Sequence, residues 1–143
     1  MKENKDALDE INKGCFIGMD AIKDIIDKVD DKSFKKIIKN QYKDYEKIHK
    51  KIEKLYKKYN PKDEAHETNL IDKVMTKYGI DIRTIMDKSD SKIAELLLKG
   101  TNMGIIEGRK ILNKKEISKD VYNIVSIYVT MQEKCVENLK NYL

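Results

Sequence analysis

The chain has no tryptophan, a single proline and only six glycines in 143 residues. With 38% charged residues and strong apolar periodicity, that poverty of breakers points to an all-α protein rather than a disordered one. The length suits one domain with a sizeable core. No apolar run approaches the roughly 18 residues that a membrane-spanning helix needs. The start of the chain, Met1 to Asp6, has no apolar signal core behind it, which leads us to expect a cytoplasmic protein. Two cysteines, Cys15 and Cys135, are too few for a disulfide framework and lack metal-ligand spacing. Both fall on apolar helix faces and read as buried thiols.

Arginine is also scarce. The net charge of +5 is almost wholly lysine, with Arg83 and Arg109 the only arginines. Lys35, Lys36, Lys39, Lys43, Lys47, Lys50, Lys51 and Lys54 alternate with Asp44, Glu46 and Glu53 along one helix. No aromatic or glycine-rich RNA-binding motif accompanies them, so a solvated face is the better reading than a phosphate-tracking one. Any nucleic-acid binding is expected to be weak and non-specific.

The few glycines present are placed oddly. Gly100, Gly104 and Gly108 recur at four-residue spacing inside a helical pattern, and Gly14 and Gly18 repeat the arrangement earlier. A glycine inside a helix costs roughly 1 kcal/mol against alanine, so such stripes imply a close approach. The sequence predicts a first helix over about Asn4–Val29, with Leu8, Ile11, Cys15, Gly18, Ile22, Ile25 and Val29 as its seam. Asp31 or Ser33 is placed to cap a second helix, from about Lys32 to Tyr59, that ends before Pro61. Its seam is Phe34, Ile38, Gln41, Tyr45, Ile48, Ile52, Leu55 and Tyr59. A third helix, about Ser91–Asn113, aligns Ala94, Leu97, Thr101, Gly104, Gly108 and Ile111. A fourth follows Ser118 towards Tyr142, with Val121, Ile124, Tyr128, Met131 and Cys135 inward and Val125, Gln132 and Leu139 flanking.

These elements make two hairpins, 4–59 and 91–142, joined by the segment 60–88. As helix, a segment of about 28 residues would reach roughly 42 Å, enough to travel back along a bundle. The expected fold is therefore an all-α four-helix bundle with the ferritin-like connection, a helical crossover between two hairpins. A plain up-down bundle with a decorated loop is the rival. A constant offset of 86 residues pairs Gly14 with Gly100, Gly18 with Gly104 and Tyr42 with Tyr128, which is consistent with an internal repeat. In the ferritin-like arrangement the first and third helices are antiparallel neighbours, and their glycine stripes are expected to face each other and let the backbones approach.

The run Asp87-Lys88-Ser89…Ile93-Ala94-Glu95, followed by Gly100-x-x-Met103-Gly104, resembles a family of small uncharacterised bacterial proteins. The segment Gly14-Cys15-x-x-Gly18-Met19-Asp20-Ala21 is similar to theirs as well. The resemblance spans most of the chain. It implies a ferritin-like bundle of unknown function, with no catalytic residues to carry over.

A ferritin-like fold raises a dinuclear iron or manganese carboxylate site, which requires inward glutamates and Glu-x-x-His motifs. One such motif exists, Glu46-Lys47-Ile48-His49, and the offset of 86 takes it to Gln132-Glu133-Lys134-Cys135. With Tyr45, Ile48 and Ile52 inward, Glu46 turns outward and His49 lies on the edge of the core; only Glu107 comes close to a seam. Glu46, His49 and Glu107 are thus the weak candidates for iron or manganese, while His66, beside Glu64 and Glu67, reads as an exposed histidine. The inward polar groups, Gln41, Tyr45, Thr101 and Tyr128, offer hydrogen bonds but no carboxylate. No nucleophilic triad or phosphate loop is present. The sequence therefore favours a non-enzymatic binding or self-association module without a cofactor, a homodimer being one form. A di-iron or di-manganese storage or oxidation protein is the alternative. Tyr42, Tyr56 and Tyr122 flank the seams and are expected to cover the edge of the core.

Overall fold

The structure, a computed structural model, describes residues 2–59, 86–114 and 116–143. Among them are four α-helices and no strand: α1 (Lys2–Ile25), α2 (Lys32–Tyr59), α3 (Asp90–Leu112) and α4 (Lys119–Lys140). Nearly all of the expected helical crossover 60–88 lies outside the described residues, as does His66.

The caps follow the local chemistry. Asp31, rather than Ser33, caps α2, accepting from the Phe34 backbone N–H at 2.9 Å, while the Ser33 hydroxyl donates to the same carboxylate at 2.6 Å. Ser89 caps α3 through Lys92 N–H at 3.2 Å and is itself held by the Asp87 carboxylate at 2.9 Å. The first helix is shorter than its apolar pattern. Regular α-helix stops at Ile25, a 3-10 turn covers Ile26–Lys28, and Val29 turns extended. The reason lies across the bundle: the backbone N–H groups of Asp30 and Asp31 are taken by the Asp90 carboxylate, at 3.1 and 3.0 Å. Val29 stays in the core although it has left the helix.

Contacts at the two ends set the helix directions. Asp90, which opens α3, meets the α1–α2 turn, and Phe34 at the start of α2 stacks on Tyr142 just past α4, ring centroids 4.5 Å apart. At the opposite end Asn4 of α1 accepts from Ser118 N–H at 2.8 Å, and Lys58 of α2 pairs with Asp120 of α4 at 2.9 Å. Helix α1 packs on α2 and α3, and α4 packs on α2 and α3. Each of these four neighbouring pairs runs antiparallel. Tyr59 therefore ends α2 at one end of the bundle while Asp90 begins α3 at the other.

The seams are close to those expected, with two rotations. On α2 the buried positions run Ile48, Ile52, Tyr56, so Tyr56 is fully enclosed and Leu55 and Tyr59 are half-buried. On α4, Val129 and Gln132 are buried and Met131 sits at the edge. Both shifts follow from the 3.6-residue period, which turns the apolar stripe away from a strict three-four alternation over several turns. Tyr42 is half-buried under Lys23, and Tyr122 is exposed. The lysines of α2 are exposed except Lys35, which is half-buried, and no helix among the described residues is long and apolar enough to cross a membrane.

Asp120 joins the end of α2 to the start of α4. The Tyr59 hydroxyl, the Lys58 ammonium and the Val121 N–H reach it at 2.6, 2.9 and 2.9 Å, and the Ser118 hydroxyl donates as well. Burial pushes this carboxyl up, but the hydrogen bonds outweigh it and hold it well below the usual carboxylate range. A depressed folded-state value means stability that is present above the ordinary aspartate range, about pH 4, and lost as pH falls below it. Asp120→Asn is expected to lower stability by about 1 kcal/mol at pH 7, because a charged acceptor is lost at a partly exposed site. Thermal unfolding between pH 7 and 3 checks this: the difference from wild type should shrink below pH 4.

Candidate functional site

The glycines do not bring two backbones together. A side chain added at Gly14 would run into the Tyr128 hydroxyl, with ring Cζ at 2.9 Å. At Gly18 it would strike the Tyr45 ring, with Cζ at 2.6 Å, and at Gly104 the Gln132 amide, with Cδ at 2.8 Å. At Gly108 it would meet Val129. The stripes on α1 and α3 are notches that admit large side chains from α2 and α4. This differs from the backbone contact expected from the spacing, and it breaks the Tyr42–Tyr128 pairing of the repeat. Tyr128 fills a glycine notch, whereas Tyr42 lies at the edge; the tyrosine of α2 that fills one is Tyr45.

Between the stripes lies a cavity of about 70 Å³, walled by Gly14, Ile17, Gly18, Ala21, Ile22, Leu96, Leu97, Gly100, Met103 and Gly104. Its polar lining is Gln41, Tyr45, Thr101, Tyr128 and Gln132, each no more than 3% exposed. Glu10, Lys13 and Glu107, all partly exposed, also line it; Glu10 pairs with Lys13 at 3.6 Å and Glu107 with Lys110 at 3.4 Å. The walls are thus apolar, the buried polar groups neutral and the partly exposed groups charged.

The side chains of Gln41, Tyr45, Thr101 and Gln132 form one connected set, which the Tyr128 backbone carbonyl joins. Gln41 Nε2 donates to Thr101 Oγ1 at 3.0 Å and to the Tyr45 hydroxyl at 3.4 Å. Tyr45 donates to Gln132 Oε1 at 3.1 Å, Thr101 to the Leu97 carbonyl at 2.7 Å, and Gln132 Nε2 to the Tyr128 carbonyl at 3.4 Å. Gln132 was expected only on the flank of its helix. The signal that finds it is the pairing of Gln41-x-x-x-Tyr45 with Tyr128-x-x-x-Gln132, the same motif read in opposite directions on two antiparallel helices.

The set is uncharged. Burial pushes the Tyr45 and Tyr128 hydroxyls well above the usual range, so both remain protonated donors. The thiols are no more reactive: burial pushes Cys15 far up and Cys135 up to about 12. The metal candidates are not assembled. His49 Nδ1 lies 2.7 Å from Asn12 Oδ1 and its ring stands edge-on to Phe16, at the α1–α2 seam. Glu46 is half-buried on α2, and Glu107 lines the cavity from α3. Among the described residues, no three of His, Cys, Asp and Glu converge on a metal-sized site. At the centre of the bundle the donors are two amides, a threonine and two tyrosine hydroxyls, which do not fit a dinuclear site requiring several carboxylates.

Protein-family models, curated proteins and solved structures provide no match to the chain.

The notches yield a prediction. Gly→Ala in a helix interior ordinarily stabilises by roughly 1 kcal/mol, but a clash with an immobile ring costs about 1–3 kcal/mol. The ring wins at Gly18, where the contact is with ring carbons. Gly18→Ala and Gly14→Ala should each lower stability, by about 1–2 kcal/mol. Tyr128→Phe removes the atom that Gly14→Ala strikes first, so it should relieve that variant in part, while Tyr45→Phe should not relieve Gly18→Ala. Urea unfolding of the two double-mutant cycles distinguishes this from loss of a backbone contact, for which neither tyrosine change would help.

Proposed function

We propose that the chain is a ferritin-like four-helix bundle that acts by binding rather than by catalysis, with the cavity between α1 and α3 as its binding site. The observation that carries this reading is the cavity itself: apolar walls around a few convergent neutral polar groups, the usual character of a small-molecule site. The antiparallel packing of neighbours, with α2 ending and α3 beginning at opposite ends, supports the ferritin-like connection, as does the resemblance carried by Gly14–Ala21 and Asp87–Gly104. Because the glycines are turned onto side chains and a partly open cavity, they favour ligand binding over self-association through the same stripes. Burial keeps the Tyr45 and Tyr128 hydroxyls and the Cys15 and Cys135 thiols protonated at neutral pH, which supports binding over catalysis by these four groups.

Methyl NMR under xenon, an apolar probe of about the right size for such a space, tests the site. Shifts concentrated at Ile17, Ile22 and Leu97 are expected; their absence would remove the cavity as a binding site. Anaerobic iron loading followed by elemental analysis addresses the carboxylate-metal alternative. Substoichiometric iron is the expected result, and two tightly held ions per chain would replace the present reading.

A further inference from the structure

The buried hydrogen bonds around the cavity have a fixed direction, because backbone carbonyls anchor two of their ends. Thr101 spends its only hydroxyl proton on Leu97 O, so its oxygen can face Gln41 only as an acceptor. That requires the amide nitrogen of Gln41, not its oxygen, on the Thr101 side. Gln132 likewise spends an N–H on Tyr128 O, which turns its carbonyl to Tyr45; Tyr45 must donate to it, and its oxygen is left to accept from Gln41. Flipping either amide would set two acceptors or two donors against each other.

With that direction set, one atom has nothing to accept from. Gln41 Oε1 is buried without a hydrogen-bond partner, on a side chain 3% exposed that lines the cavity. An unmet acceptor in an apolar enclosure is costly, and native proteins rarely keep one without a reason. We propose that the ligand of the cavity is a compact neutral molecule with an apolar body and one hydroxyl or N–H group, whose proton is donated to Gln41 Oε1. This rests on the binding reading above and specifies its chemistry. A neutral ligand fits because the polar groups around Gln41 are uncharged and the charged groups of the lining, Glu10, Lys13 and Glu107, stand at its partly exposed edge. A space of about 70 Å³ limits the enclosed part to a handful of heavy atoms, since about 150 Å³ holds benzene.

Two isomers separate the donor from the apolar body: 1-butanol carries a hydroxyl proton, and diethyl ether of the same formula carries none. Titration of the intact chain with each, followed at the Ile22 and Leu97 methyls, is expected to show 1-butanol binding about tenfold more tightly. In Gln41→Leu that preference should disappear while the ether still binds. If Gln41→Leu does not fold, Gln41→Met serves the same purpose, and the wild-type comparison stands without either. Equal binding of the two isomers to wild type would overturn the donor inference and leave the cavity reading intact. Binding of neither would overturn both, with water alone meeting the acceptor. A butanol preference that survives in a folded Gln41 variant would also overturn the assignment to this atom.

Discussion

The interior of this bundle depends on the fit between large polar side chains and missing ones. Tyr45, Tyr128 and Gln132 project from α2 and α4 into notches at Gly18, Gly14 and Gly104 on the opposing helices. Each notch gives up helix propensity of roughly 1 kcal/mol. Each lets a side chain enter the core that no alanine would admit, and an enclosed aromatic contributes about 1.5–3 kcal/mol by burial alone. The exchange is favourable only if the polar ends of those side chains are also met. Tyr45 and Gln132 meet that condition through each other, the Tyr45 hydroxyl donating to Gln132 Oε1.

Neutrality is the second consequence. A buried carboxylate would need a cation or several free donors to offset its desolvation; among the described residues the bundle centre holds no cation, and the donors of Gln41, Tyr45, Thr101 and Gln132 are bonded to one another or to backbone carbonyls. The charged groups are kept to partly exposed positions, where Glu10, Lys13 and Glu107 line the cavity with water nearby. His49, which begins as a candidate ligand, is occupied with Asn12 and Phe16 in holding α1 to α2. The result is a cavity whose buried lining is neutral and whose charged groups stand at its edge.

The bundle ends are built on a different principle. There the charged groups work through backbone: Asp90 gathers two N–H groups from the α1–α2 turn, and Asp120 gathers donors from α2 and the start of α4. These contacts set which helix ends meet, and with them the antiparallel packing that brings the two glycine stripes to one cavity.

Among the described residues, the helices and their approximate limits were legible in the sequence because apolar spacing and capping residues are local properties: Asp31, one of two candidate caps, stands just before α2. The inward placement of Gln41, Tyr45, Thr101 and Tyr128 was legible for the same reason. The length of α1 was not, since Asp90 takes the N–H groups of Asp30 and Asp31 from some 60 residues away in the chain. Nor was the purpose of the glycines. Four-residue spacing announces that something approaches, but a missing Cβ is equally a contact for a backbone or for a tyrosine, and only the packing of α2 and α4 against α1 and α3 decides which. Gln132 shows the limit most clearly: periodicity places it at the edge of a stripe, and its role follows only when Tyr45, 87 residues away, is brought within 3.1 Å.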